Sequence, residues 1–210
     1  MFYEFAEILE NRKQIRWYDQ EKIPDKEIID FALKKTYETV ASKQNLMPYK
    51  VHVVGPLNKE VNNALYETST WSGITANYNL ITAAYQFIYE VRLAKGSEKV
   101  IKDVEINGHI QPPMNPELYK TRGGIKNTNI EIGMHATILS KILIENGLDV
   151  SYTLCFENND NNQSERWNNP NLSFITDEVQ FILSAGYPDL ERYFESREER
   201  PSFNEVVQWV

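Results

Sequence analysis

Two short polar stretches contain the side chains best suited to binding an anion or a heteroaromatic ring. The first contains Arg12, Lys13 and Arg16, a basic cluster in a chain whose formal net charge is -8. Arg12 and Arg16 are one helical turn apart or share a turn, so both can point at one anion. Arginine suits a phosphate because its guanidinium donates two parallel hydrogen bonds. Taken alone, however, the cluster favours a solvated positive patch at a helix end.

The second stretch is the loop Ala41–Tyr49, with the sequence ASKQNLMPY. Its polar residues 42–45 offer donors and acceptors, and Pro48 bars a helix through the loop. Such a loop can address the polar edge of a heteroaromatic ring. An ordinary polar turn is the alternative interpretation, and in isolation the loop favours it.

A broad apolar helix over Ile130–Gly147 is predicted to organise the chain. Gly147 would end the helix in the left-handed conformation, and the strand-forming segment VSYTLCF follows at once. So wide an apolar surface must lie in the core or an interface. The central face comprises Ile132, Ala136, Leu139 and Leu143, widened by Met134, Ile138 and Ile142.

The remaining pattern predicts one α+β domain over residues 1–210, because helices and short strands mix without strict alternation. No internal repeat or break in composition marks a second domain. Residues 94–128 form a long polar connection, interpreted as a mobile cover over a pocket. Further helices are predicted over 2–11, 25–40 and 57–69, and strands over 50–54, 81–93, 150–156 and 179–188.

Composition excludes several classes of function. The net charge of -8 argues against nucleic-acid and anionic-membrane partners, which need an extended positive field. A single cysteine excludes an internal disulfide and suits a reducing cytoplasm. We find neither a signal peptide nor an apolar run long enough to span a bilayer, so we expect a cytoplasmic protein.

Other candidates for chemistry are weaker. Cys155 could be a nucleophile, but a lone cysteine in an apolar strand is more often a small buried hydrophobe. His52, His109 and His135 share no ligand spacing, so we predict no metal site. No glycine-rich fingerprint opens a helix after a strand, so a Rossmann dinucleotide site is not indicated.

Five stretches, in order, resemble the FMN-dependent nitroreductase family. Residues 12–19 resemble its N-terminal Arg-Arg-Ser-x-Arg-x-Phe segment, and residues 41–49 its Pro-Ser-x-x-Asn-x-Gln-Pro-Trp loop. Asn77–Asn79 is similar to its Asn-containing stretch before the second strand. The central helix and the strand to Phe156 resemble its C-terminal core, and residues 200–207 its closing Arg-x-Pro-type segment.

The resemblance implies a central, mostly antiparallel sheet flanked by helices, in a homodimer with exchanged tails. Two flavin sites would lie at the subunit interface. The implied activity is that of an FMN-dependent NAD(P)H oxidoreductase. NADH or NADPH would reduce flavin N5, and a nitroaromatic, quinone or similar small-molecule acceptor would receive the electrons. Since the flavin supplies the chemistry, we predict no catalytic side chain.

The resemblance also implies roles for individual residues. Those that would hold the FMN phosphate and ribityl chain are Arg12, Lys13, Gln14, Arg16 and Arg200. Those that would address the ring are Ser42, Lys43 and Asn45 from the partner subunit, Asn77 at the pyrimidine edge, and the backbone amides near Leu154 and Cys155 at N5.

Several positions depart from the family pattern. Gln14 replaces a serine, Ala41 a proline and Met47 a glutamine, and Leu80 stands where some members have a lysine near flavin N1 and O2. Two alternatives therefore stay open. One is another reaction on the same fold, such as dehalogenation, ene reduction or flavin fragmentation. The other is a flavin-binding protein without turnover.

Overall fold

A computed structural model of the chain describes residues 15–42, 47–56, 58–69, 77–91, 122–154, 169–176, 178–192 and 202–208, apart from the side chains of 122–127 and 203–204. The predicted helix over 2–11 and most of the connection over 94–128 lie outside these ranges. The described elements, in chain order, are α1 (Lys26–Thr39), β1 (Tyr49–Val54), α2 (Lys59–Thr68), α3 (Asn79–Thr82), β2 (Tyr85–Val91), α4 (Arg122–Glu145), β3 (Asp149–Thr153), a 3-10 turn (Pro170–Leu172), β4 (Val179–Gly186) and α5 (Phe203–Val206).

A four-stranded sheet with the order β1-β2-β4-β3 forms the centre of the described structure. Each neighbouring pair is antiparallel. All seven residues of β2 are buried, including the polar side chains of Gln86 and Glu90. One core cluster joins α1 and α4 to the sheet, and a second joins α2, α3 and the 3-10 turn to its other face. The expectation of an α+β fold with an antiparallel sheet flanked by helices is confirmed.

The central helix is α4, and its predicted buried face is confirmed. Its residues Ile132, Ala136, Leu139 and Leu143 are at most 2% exposed. Gly147 has φ 82°. The N–H of Leu148 donates to Leu143 O at 3.1 Å, the bond that closes a Schellman cap.

The prediction that Met134 widens this buried face is wrong for the single chain. Met134 is 40% exposed and Ile130, one turn earlier, is 54% exposed. Advancing two residues along an α-helix changes the direction of the side chain by about 200°. Met134 therefore points away from the face that Ile132 presents to the sheet. These two side chains leave an apolar strip on the outside of α4.

The starts of two elements differ from the sequence prediction by four residues or more. The helix α4 begins at Arg122 and takes in residues assigned to the polar connection, including Gly123 and Gly124. Extending an existing helix costs much less than starting one, so the long apolar helix tolerates glycine in its first turn. The second strand begins at Tyr85, and the preceding apolar residues form α3. A short apolar run does not distinguish a buried helical turn from a strand.

Helix α1 buries Ile29 and Ala32, and Val40 is buried just beyond its last residue, whereas Tyr37 is 64% exposed. Thr36 takes the inward position instead, because it follows Ile29 and Ala32 at helical spacing. Its hydroxyl donates to Ala32 O at 2.7 Å, so burial leaves no unpaired group.

Glu90 in β2 is a fully buried carboxylate at the β1 side of the sheet. It contacts His52 Nε2 and lies 3.5 Å from Lys50 Nζ. It also accepts hydrogen bonds from Thr176 N at 2.7 Å and Thr176 Oγ1 at 2.8 Å. Burial raises the pKa of Glu90, but these hydrogen bonds and the Lys50 charge outweigh it and lower the pKa overall. The buried Glu90 carboxylate therefore has hydrogen-bond and charge partners, and its role is structural.

Candidate functional site

Four of the eleven predicted site residues lie in the described part of the chain: Arg16, Ser42, Asn77 and Leu154. The other predicted site residues lie outside the described ranges; they are Arg12, Lys13, Gln14, Lys43, Asn45, Cys155 and Arg200. The geometry of the site is therefore built from these four residues and the elements that hold them.

The segment 15–19 is fixed to the end of the sheet by Tyr18. Its hydroxyl donates to Ser184 O at 3.3 Å and to Ser151 Oγ at 3.1 Å. Its backbone N–H donates to Thr82 Oγ1 at 3.3 Å. Arg16, two residues earlier, is exposed. Anchoring Tyr18 therefore holds Arg16 near the C-terminal end of β4, which pairs with the start of β3.

The close approach of Tyr18 depends on a glycine. A Cβ placed on Gly186 would lie 3.0 Å from Tyr18 Cδ1 and 3.2 Å from Ala84 N. Real Cβ atoms rarely make such contacts, so a larger residue would push the segment off the sheet. The backbone N–H of Asp19 also donates to Tyr187 O at 2.8 Å.

The Asn77 turn lies against Ser184, which Tyr18 also contacts. Asn79 Nδ2 donates to Thr153 Oγ1 at 2.7 Å and to Ser184 Oγ at 2.9 Å. Asn77 is 3% exposed, and its Nδ2 has no hydrogen-bond partner within the described ranges. An unpaired buried amide costs roughly 1–3 kcal/mol, so a ligand that accepts its proton would be favoured.

A ladder of aromatic rings joins the segment 15–19 to the Asn77 turn. Trp17 stacks on Tyr78 with ring centroids 4.1 Å apart, and Tyr78 stacks on Tyr66 at 5.9 Å. The guanidinium of Arg192 lies 5.0 Å from the Trp17 ring on β4's C-terminal side. The stacking therefore fixes the position of the segment 15–19 relative to the Asn77 turn.

Leu154 is the first residue after β3 and is 68% exposed. It follows Thr153, which Asn79 binds, so the chain leaves the sheet next to the Asn77 turn. Arg16, Asn77 and Leu154 therefore each lie one or two residues from a member of one hydrogen-bond network, whose members are Tyr18, Asn79, Thr153 and Ser184.

Ser42 lies elsewhere, against α4. Its hydroxyl donates to Glu131 Oε2 at 2.6 Å and accepts from Met47 N at 2.8 Å. Met47 has φ 45°, an uncommon conformation for a residue other than glycine. Helix α4 packs on the face of the sheet opposite α3, so within one chain Ser42 and the Asn77 turn lie on opposite faces of the sheet.

Sequence reasoning missed the polar residues that position the site. Asn79, Thr153 and Ser184 form its buried support, and Gln86 Nε2 adds bonds to the carbonyls of Asn79 and Leu80 at 3.0 and 3.1 Å. A signal was available in Ser151 and Thr153, which alternate with apolar residues along β3. That alternation indicates a strand with one polar face.

The described residues contain no group of three His, Cys, Asp or Glu side chains arranged to hold a metal ion. Among the same residues, no helix combines the length and apolar character needed to cross a lipid bilayer.

The fold has clear counterparts among solved structures, although no protein-family model and no curated protein matches the sequence. A nitroreductase-like protein from Streptococcus mutans superposes with a TM-score of 0.70 at 15% identity, covering 100% of both chains. NfrA1 nitroreductase from Bacillus subtilis gives 0.70 at 16% identity, covering 97% of this chain and 73% of its own.

A third structure, from Exiguobacterium sibiricum, was assigned as a nitroreductase and solved in complex with FMN. It gives a TM-score of 0.64 at 17% identity, covering 98% of this chain and 97% of its own. At such identities the likeness concerns the fold. The chain has the nitroreductase fold.

Proposed function

We propose that the protein is an FMN-dependent NAD(P)H oxidoreductase. The observation that carries the proposal is one hydrogen-bond network around Ser184, in which Tyr18 and Asn79 both take part and Asn79 also binds Thr153. The fold shared with an FMN-bound structure supports it. Bound FMN would accept a hydride from a reduced nicotinamide and pass electrons to a small-molecule acceptor.

The described residues fit FMN in two respects. Arg16 is exposed and forms no ion pair with any carboxylate in the described ranges, so its guanidinium is available to a phosphate. The buried, unpaired Nδ2 of Asn77 can donate to a carbonyl of the flavin ring. The amides at Leu154 and Cys155 would face N5, and the remaining proposed phosphate and ribityl ligands are Arg12, Lys13, Gln14 and Arg200.

A homodimer is part of the proposal. Ser42 is held by Glu131 on the α4 side of the sheet, opposite the Asn77 turn, and in the proposed dimer it would contact the flavin of a second copy of the chain. Lys43 and Asn45 would accompany it. The exposed apolar side chains of Ile130 and Met134 on α4 supply a surface that association would bury.

Arg16→Ala is expected to weaken FMN binding by about 1.5–3 kcal/mol, the typical value of a hydrogen bond to a charged group. This corresponds to a roughly 10- to 150-fold higher Kd, measurable by fluorescence titration of FMN into the apoprotein. Lys34→Ala is the matched control, since Lys34 is an exposed cation on α1. Equal Kd values for the two variants would remove Arg16 from the phosphate site.

The burial of Leu80 favours one alternative, a flavin-binding protein without turnover. Leu80 is 0% exposed within the second core cluster, so α3 presents no cation at this position to stabilise a reduced, anionic ring. Anaerobic addition of NADPH or NADH distinguishes the two. An oxidoreductase loses its visible flavin absorbance within seconds to minutes, whereas a carrier keeps it. Persistent absorbance with both donors would contradict the proposed activity.

A further inference from the structure

A cleft between α4 and the β3 side of the sheet has a composition suited to one class of ligand. Its volume is about 360 Å³, near the lower end of the roughly 300–1,000 Å³ typical of ligand pockets. Ile132 and Ala136 form one wall, and the rings of Tyr152 and Phe181 form another. None of the described residues that line it is charged.

A bulge in β4 places Gln180 at this cleft. Glu90 pairs with Val179 and Tyr89 with Phe181, so Gln180 is the extra residue between them. In a regular strand Gln180 and Phe181 would face opposite sides of the sheet. Both line the cleft because the bulge re-aims the side chain.

The amide of Gln180 is not satisfied within the described protein. Its Nε2 is shielded from solvent and has no hydrogen-bond partner in the described ranges. The terminal amide of glutamine turns easily about its last torsion. Turning Nε2 into the cleft would let it donate to a ligand oxygen and would relieve the penalty of an unpaired donor.

We propose that this cleft binds a small, neutral aromatic molecule that carries an acceptor oxygen, and that Gln180 selects it. The Tyr152 and Phe181 rings favour a planar aromatic body. An anionic ligand is disfavoured because the described lining supplies no cation. A hydrocarbon of the same shape leaves the Gln180 amide unpaired. Leu154 also lines the cleft, so the cleft adjoins the proposed flavin site, but the groups that would hold the ligand are Gln180 and the two rings, which need no flavin.

The test compares two neutral probes, acetophenone and isopropylbenzene, which are alike in shape but differ in the acceptor oxygen. Their dissociation constants are measured by ligand-observed NMR titration of the purified full chain. Gln180→Met keeps the side-chain length and removes the donor. We expect it to raise the Kd of acetophenone about 3- to 10-fold, as for one neutral hydrogen bond, and to leave that of isopropylbenzene unchanged or lower.

Thr39→Val is the matched control, because Thr39 is exposed on α1, does not line the cleft, and its hydroxyl donates to Lys35 O at 2.8 Å. This variant should bind both probes like the unmodified protein. The inference is overturned if neither probe binds, if benzoate binds more tightly than acetophenone, or if Gln180→Met weakens both neutral probes equally. A protein that takes up FMN yet gives any of these results leaves the proposed function standing. A protein that selects acetophenone but does not bind FMN would support the inference and contradict the proposed function.

Discussion

Asn79→Ala is expected to lower the free energy of unfolding by about 2–4 kcal/mol, because it leaves buried polar groups unsatisfied. Asn79 is 1% exposed, and its amide joins α3 to Thr153 and Ser184 on two strands. Truncation also removes the link that holds the Asn77 turn at the end of β3. We therefore expect FMN affinity to fall as well.

Urea unfolding at fixed protein and FMN concentrations measures the effect on stability, since both association and ligand binding shift the midpoint. Asn63→Ala is the matched control, because Asn63 is exposed on α2. Alanine there should be neutral or slightly stabilising through helix propensity. If the two variants were equally stable, the buried network would have no role in holding the site.

The stability of the fold is expected to fall by about 2.5 kcal/mol between pH 7.5 and pH 4.5 through His135 alone. Burial lowers the pKa of His135 to about 4, and its Nδ1 lies 2.8 Å from the hydroxyl of Tyr89. In the unfolded chain a histidine titrates near 6.5. Between pH 6.5 and 4 the unfolded state therefore binds more protons, and acid favours unfolding.

His135→Gln isolates this effect, since its side-chain oxygen can still accept from Tyr89 and it does not titrate. The difference in unfolding free energy between pH 7.5 and pH 4.5 should be smaller in the variant by the full amount assigned to His135. The chain has three histidines, so the C2–H resonance lost in the variant identifies His135 by NMR. A midpoint near pH 6.5 for that resonance would show that the imidazole is not buried in the neutral form.

Local patterns were sufficient to predict the principal elements. The repeat of apolar residues at helical spacing identified the α4 face from Ile132 to Leu143, and Gly147 marked its end. The largely apolar β2 was identified as a buried strand, although its start was misplaced. These features depend on neighbouring residues, so a single sequence contains them.

The supporting residues of the site depend instead on contacts between distant segments. Asn79 and Ser184 are 105 residues apart, and neither lies in a local motif that predicts their hydrogen bond. The role of Gln180 depends on a register shift between β2 and β4, which is a property of the pairing. Weak motifs spread along the chain nevertheless indicated the fold, because their order matched one family.

The FMN content of the purified protein tests the central claim most directly. After incubation with excess FMN and removal of unbound ligand, the visible absorption spectrum is recorded, and the released cofactor is quantified on denaturation. We predict a yellow protein that releases about one FMN per chain, since two copies would form two sites. A colourless protein that retains no added FMN would contradict the account.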